Sequence, residues 1–214
     1  VDTDSLYVGE VPSGLSGNPQ GNTVLGIDAG NALTSGANNT IIGNDAAKAL
    51  TSSSNGVFIG QEAGKSATTG QQTVMVGYQA GRVNNANNNT LIGYQAGVVL
   101  SGAENTLLGS FAGRTLSTGT QNALLGVGYN GGAITTGSNN TVIGLSAAAS
   151  SPTISNEITL GNSSITSLRC AVTSITSLSD ERDKTDIKDL GYGLAFIDAL
   201  QPREFVWDNR AETN

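Results

Sequence analysis

The sequence predicts an all-β protein, a parallel β-solenoid or β-roll in which one short unit coils about nine times around an axis. Three observations predict it: a glycine recurs at steps of 16–18 residues, aliphatic residues precede it, and turn-forming residues separate the copies. Each such unit buries its apolar face only against its neighbours, so the copies stack. The glycines that define the repeat are Gly26, Gly43, Gly60, Gly77, Gly93, Gly109, Gly126, Gly144 and Gly161.

Composition restricts the function classes. The 214 residues carry a net charge of −7 and no histidine, so no basic surface is available to neutralise phosphates, and we expect no nucleic-acid partner. No apolar run approaches the roughly 18 residues that span a bilayer, so membrane insertion is not expected. Because the chain begins with Val1 and stops at Asn214, shortly after an aromatic stretch, we expect it to be a segment of a longer protein.

Two apolar positions precede each glycine. Ile41 and Ile42, for example, stand two residues and one residue before Gly43, and most repeats follow this pattern. Successive residues of a strand point to opposite faces, so one position lines the coil and the other faces outward. A strand that is apolar on both faces is typical of burial on both sides. We therefore expect the outward face to be covered by another copy of the chain.

Small and polar residues follow each glycine. An alanine three residues later, often with a second glycine, indicates a tight bend, and a Ser-, Thr- and Asn-rich turn comes next. One interpretation makes the recurring asparagines a binding surface for glycans or ice; the favoured one assigns them to turn geometry and an axial hydrogen-bond ladder. These asparagines, four residues before the glycine, are Asn22, Asn39, Asn89, Asn105, Asn122 and Asn140.

The repeats show no pattern of a cofactor or metal site. Asp28, Asp45 and Glu62 stand two residues after successive glycines, but the GGxGxD pattern of calcium-binding coils is absent. No glycine-rich phosphate loop opens a helix either. We therefore expect neither a metal nor a cofactor.

Four segments follow from the composition: a connector over 1–21, the repeat shaft over 22–161, a neck over 162–178 and a charged segment over 179–214. Nine charged side chains lie in 22–161, against 14 in 179–214. In the neck, an extended trimeric arrangement is favoured over a short helical seam, and we expect Cys170 to be buried there. The last segment predicts a short α+β fragment, with a helix over Gly193–Leu200 and a strand over Arg203–Trp207.

The repeat text, such as NTVLGIDAG and NTLIGYQAG, resembles the shafts of phage tail fibres and the head domains of trimeric autotransporter adhesins. In those heads, short repeats build a left-handed β-roll and three chains associate side by side. The resemblance covers residues 22–161. It implies that this solenoid is trimeric.

The segment SDERDK, continued by TDIKDL and GLAFIDALQPREFVWD, resembles the entry to the self-cleaving intramolecular chaperone of phage tail fibres, tailspikes and endosialidases. The resemblance implies that Ser179 is a nucleophile, that Lys184 is its general base, and that the bond between Ser179 and Asp180 is cut. A lysine can act as the base when its pKa is lowered. From the residues alone, a capped helix start remains open, with Ser179 as N-cap and Glu181 and Asp183 in the first turn.

Together these resemblances predict a homotrimeric structural segment of a phage tail fibre, located in the virion and involved in adsorption to a host glycan receptor. Autoproteolysis is the single reaction that we expect. The alternative is a trimeric adhesin of the bacterial surface. A polysaccharide-cleaving enzyme would need paired acids, whereas each acid of the repeats lies in a different one: Asp28, Asp45, Glu62, Glu104 and Glu157.

Overall fold

The computed structural model describes residues 4–9, 12–16, 19–126, 128 and 134–171. Ten short strands form one parallel sheet in sequence order, and the described residues contain no helix. They accordingly contain no helix long and apolar enough to cross a membrane. The prediction of an all-β parallel solenoid is confirmed. The strands are β1 Leu6–Gly9, β2 Thr23–Gly26, β3 Thr40–Ile42, β4 Val57–Ile59, β5 Val74–Val76, β6 Thr90–Ile92, β7 Thr106–Leu108, β8 Ala123–Leu125, β9 Thr141–Ile143 and β10 Ile158–Leu160.

The strands stack so that equal positions of the repeat lie side by side. Val24 of β2 pairs with Ile41 of β3, and Ile41 pairs with Phe58 of β4. Since neighbouring strands lie about 4.8 Å apart, ten strands extend over about 43 Å. The chain divides into two units, Val1–Leu168 and Arg169–Asn214, and the solenoid lies within the first.

The strand series begins one repeat before the first glycine that the sequence analysis counted. Strand β1 lies in the segment 1–21 and pairs in parallel with β2, which places Gly9 opposite Gly26. Tyr7 and Val8 precede Gly9 and pair with the aliphatic pair that precedes Gly26. The spacing between Gly9 and Gly26 and the two residues before Gly9 therefore indicate that this segment is also a repeat.

The interior is built from three stacked sets of side chains. The residue two before each glycine forms the core column, and its members are at most 3% exposed over β2–β9. The other two sets are alanines of the bend and aliphatic residues of the following turn, such as Ala46 and Leu50, which are also buried. The core column consists of Val24, Ile41, Phe58, Met75, Leu91, Leu107, Leu124 and Val142.

The repeat glycine is required by both conformation and space. Gly60 has a φ of 129°, which L side chains rarely adopt, and a Cβ there would lie 2.6 Å from the carbonyl oxygen of Gly77. The backbones of successive repeats therefore touch at this position.

The 16-residue and 17-residue repeats differ in length at one turn. In the 17-residue repeat after Gly26, two residues separate the core residue Leu33 from Gly36 at the far side of the turn, whereas in a 16-residue repeat only one separates Leu100 from Gly102. The strands and the interior positions keep their register as a result.

The region after β10 has neither strand nor helix over residues 162–171. Cys170 is exposed in the single chain, and its burial in a trimeric neck stays a prediction. The rest of the neck, the helix predicted over Gly193–Leu200 and the strand predicted over Arg203–Trp207 lie outside the described residues.

Candidate functional site

The predicted cleavage residues Ser179, Asp180 and Lys184 lie outside the residues that the structure describes. Their assignment stays a prediction of the sequence. The described residues instead present four features along the solenoid: an apolar outer surface, a buried asparagine ladder, an ion-pair ladder and an aromatic strip.

The outer column is the set of residues directly before each glycine, on the face opposite the core column. Its side chains remain accessible in the single chain: Leu25 is 45% exposed and Leu108 is 44% exposed. Between them, Ile42, Ile59, Val76 and Ile92 are half-buried. An uninterrupted aliphatic column thus runs along the outside of the sheet, and no described segment covers it.

The asparagine ladder lies inside the solenoid. Asn39 donates two hydrogen bonds to Asn22 Oδ1, from its backbone N–H at 3.0 Å and from Nδ2 at 3.1 Å. The same Nδ2 donates to the carbonyl of Ser53 at 2.8 Å. Because Asn22 and Asn39 are each 1% exposed, this column cannot serve as the glycan or ice surface that was one interpretation of the sequence. Its role is to satisfy buried backbone groups along the axis.

The ladder is interrupted at two neighbouring repeats, where Gly56 and Thr73 replace asparagine. A Cβ on Gly56 would overlap the ring of Phe58, so the large core residue occupies the space that the asparagine side chain has elsewhere. The hydroxyl of Thr73 is buried and has no hydrogen-bond partner. The polar chain along the axis is therefore broken at this point.

An ion-pair ladder runs along the outside of the first repeats. Lys48 Nζ lies 2.8 Å from Asp28 and 3.0 Å from Asp45. Lys65 Nζ lies 2.9 Å from both Asp45 and Glu62. Each lysine thus joins the acid of its own repeat to the acid of the preceding one.

The ladder continues past the lysines with a guanidinium and two amides. Arg82 Nε lies 3.2 Å from Glu62, and Gln79 Nε2 donates to the same carboxylate at 2.8 Å. Gln95 Nε2 then donates to Gln79 Oε1 at 2.7 Å. The three acids accept from cations and amides of this chain, and among the described residues no group of three or more His, Cys, Asp or Glu is placed to hold a metal ion.

The ladder shifts the pKa values of its members in the expected directions. Hydrogen bonds from Lys65 and Lys48 hold the pKa of Asp45 below its usual range, and the hydrogen bond from Lys48 lowers the pKa of Asp28. Lys65, followed by Gln79, lowers the pKa of Glu62. The hydrogen bond to Glu62, followed by that to Asp45, raises the pKa of Lys65. These groups therefore stay charged at neutral pH.

An aromatic strip follows where the charges end. The rings of Tyr78 and Tyr94 are stacked with centroids 5.1 Å apart and an interplanar angle of 21°. The ring of Phe111 meets Tyr94 edge to face, also at 5.1 Å. The guanidinium carbon of Arg114 lies 5.4 Å from the centroid of Phe111. The strip thus joins three successive repeats.

The sequence analysis did not predict the ion pairs of the ladder or the ring contacts of the aromatic strip. The acids Asp28, Asp45 and Glu62 were considered as a metal column, although Lys48 and Lys65 stand three residues after the second and third of them. That spacing, repeated at the same position of successive repeats, is the signal that predicts the ion pairs.

The comparisons with known proteins add one finding to the fold. The described residues form a parallel β-solenoid of a repeat protein. Residues 179–214, the last 36 of 214, match the protein family described as chaperone of endosialidase, which is the segment where the sequence showed that resemblance. No curated protein and no solved structure matches the chain.

Proposed function

We propose that this chain is a segment of a trimeric phage tail fibre that takes part in host adsorption and carries its chaperone at the C-terminal end. The observation that carries the proposal is the match of residues 179–214 to the endosialidase chaperone family, directly after a repeat shaft and its neck. The virion tail is the corresponding location. A trimeric bacterial adhesin is the alternative, and the chaperone match favours the fibre.

The outer column supports self-association. Large contiguous apolar patches on a protein surface mark interaction sites. A column that repeats at every strand fits best a partner with the same repeat, which another copy of this chain provides. In a homotrimer, Ile92 and its equivalents would be buried between the chains.

This part of the proposal is tested with a charge in the outer column. Ile92→Glu would place a carboxylate in the interface without a partner, so we expect the trimer to dissociate. Gln61→Glu adds the same charge at an exposed position and is the matched control. Sedimentation equilibrium gives the mass; a wild-type chain that is a stable monomer overturns the trimer.

The second part of the proposal is self-cleavage before Asp180. The hydroxyl of Ser179 acts as nucleophile, Lys184 accepts its proton, and the bond to Asp180 is broken with net addition of water. The sequence contains no histidine, which excludes a Ser-His-Asp triad, and the resemblance to the chaperone family assigns the base to Lys184.

Cleavage is tested in the product of the full-length gene. We expect the wild type to release its C-terminal piece, and Ser179→Ala and Lys184→Ala to stay intact. Lys188→Ala, in the same matched segment, is the control and should be cut normally. Intact mass of the fragments locates the bond. Release of the piece by either of the first two variants disproves the assigned pair.

A further inference from the structure

We propose that the aromatic strip of Tyr78, Tyr94 and Phe111 is a binding site for an oligosaccharide. The proposal rests on the adsorption role above and adds where on the solenoid a host glycan is held and by which groups. It is carried by the accessibility of the rings, the presence of an aromatic residue at a left-handed position, the rigidity of the strip and its size.

The strip lies on the face of the solenoid that is exposed to solvent. Phe111 and Arg114 stand two and five residues after their glycine, the positions that Asp45 and Lys48 occupy in an earlier repeat. There those positions hold the ion-pair ladder, and the side chain of Lys48 is 41% exposed. Tyr78 and Tyr94 stand directly after their glycines, one position before that of Phe111 and Asp45. In the single chain Tyr94 is exposed and Tyr78 and Phe111 are half-buried, so parts of all three rings are accessible to an external ligand.

The aromatic residues are not required by the fold at these positions. The position of Phe111 is held by Asp28, Asp45 and Glu62 in the first repeats and by glutamine in the next two. Phe111 has a φ of 60°, and the residues at this position in the five preceding repeats share this left-handed conformation, which is less favourable for a bulky aromatic residue than for a short polar one. Local rules are broken in this way mainly at functional sites.

The backbone holds the strip in place before any ligand binds. The N–H of Gln95 donates to the carbonyl of Tyr78 at 2.8 Å, and the N–H of Phe111 donates to the carbonyl of Tyr94 at 2.7 Å. Tyr94 is 47% exposed, so its ring and hydroxyl are accessible. A site that is already ordered loses little conformational freedom on binding.

The size of the strip and the side chains around it favour a sugar chain over a protein as the ligand. From Tyr78 to Phe111 the strip spans two repeat steps, about 10 Å, whereas a protein partner needs roughly 800 Å² on each side. Gln79, Gln95 and the exposed Ser110 surround the rings with amide and hydroxyl groups. Apolar rings beside a few hydrogen-bonding groups suit a short sugar chain, which has apolar C–H faces and many hydroxyls.

The test measures binding of the purified chain to a panel of lipid-free O-polysaccharides and to hexasaccharides of glucose and of N-acetylglucosamine. We expect at least one probe to bind the wild type, and Tyr94→Ala and Phe111→Gln each to weaken it at least tenfold. Phe111→Gln restores the residue type of the two preceding repeats, where glutamine adopts the same left-handed conformation, so the fold should tolerate it. Leu145→Ser removes a 72% exposed apolar side chain that follows its glycine as Tyr94 does, and should leave binding unchanged.

Sedimentation of the same samples separates this proposal from that of the trimer. Loss of binding with an unchanged mass supports the sugar site. The sugar site is wrong if no probe binds the wild type, or if both strip variants bind as well as the wild type. It is also wrong if Leu145→Ser weakens binding as much as the strip variants do. If the strip variants dissociate the oligomer, the strip belongs to the self-association surface and the sugar site is wrong. A monomeric wild type that still binds sugar through the strip contradicts the trimer alone.

Discussion

Asn122 Oδ1 accepts two hydrogen bonds from Asn140, one from the backbone N–H and one from Nδ2, and both distances are 3.0 Å. Asn122 in turn donates from Nδ2 to the carbonyl of Gly137 at 2.9 Å. Both asparagines are 1% exposed. One buried side chain thus joins consecutive repeats through groups that water cannot reach.

Asn122→Ala should lower the free energy of unfolding by about 3 kcal/mol, because it leaves several buried donors and acceptors without partners. Urea denaturation followed by circular dichroism measures the change. Asn44→Ala is the matched control: this amide is exposed and donates to Ile27 at 3.4 Å, so the loss should stay within about 0.5 kcal/mol. Equal losses in the two variants would show that the ladder adds no stability.

Thr73→Val should stabilise the solenoid by about 1 kcal/mol, since it removes a buried hydroxyl that has no partner and keeps the shape of the side chain. Thr106→Val, at an exposed position of β7, should be nearly neutral. The urea midpoints of the two variants are compared with the wild type. A loss of stability in Thr73→Val means that its hydroxyl is hydrogen-bonded in solution.

The ion-pair ladder should stabilise the protein between about pH 4 and about pH 10. The pKa of Asp45 is lowered on folding, so its contribution is present above the unfolded value and is lost as the pH falls through the folded one. The pKa of Lys65 is raised, so its contribution is lost as the pH rises through the folded value.

Lys65→Met should therefore reduce stability at pH 7 but make little difference at pH 2, and high salt should shrink its effect. Urea midpoints across this pH range give the measurement. Lys188→Met removes a lysine outside the repeat region and is the control. A Lys65→Met effect that does not depend on pH or salt would mean that lost packing, not charge, explains it.

Gly60→Ala should destabilise the solenoid by about 3 kcal/mol or more, because its φ is unfavourable for alanine and the new Cβ would press on the carbonyl of Gly77. Gly14→Ala is the control, because a Cβ there would make only an ordinary contact, 3.6 Å from Thr34 Cγ2. Thermal unfolding of both variants distinguishes them. A Gly60→Ala protein as stable as the wild type would show that adjacent repeats can separate at low cost.

The stacking of the fold could be predicted from the sequence because parallel, in-register strands place equal positions next to each other. The spacing of Gly26 and Gly43 alone sets the pairing of Ile41 with Val24. Strand β1 was missed because Gly9 lacks the asparagine and alanine that flank the later glycines. Its two preceding residues and its spacing were sufficient evidence for another repeat.

The ion-pair ladder and the aromatic strip could not be predicted as readily, because they depend on the path of the turn after the glycine. Whether Lys48 reaches Asp28 is decided by the backbone between them, which includes left-handed residues at Asp28 and Asp45. The stacking of Tyr78 on Tyr94 depends on the same path. The assignments of Ser179 and Lys184 remain predictions of the sequence.

The stacking of equal positions in successive repeats has a consequence for how such a protein changes its length. Duplication or deletion of one whole unit adds or removes about 4.8 Å and keeps the strands in register, and only the contacts between the newly adjacent units change. A fragment of a unit has no such neutral outcome, since it would set glycine against the wrong backbone. The length of the solenoid can therefore change in fixed increments, because insertion or deletion of whole repeats keeps the interior columns stacked.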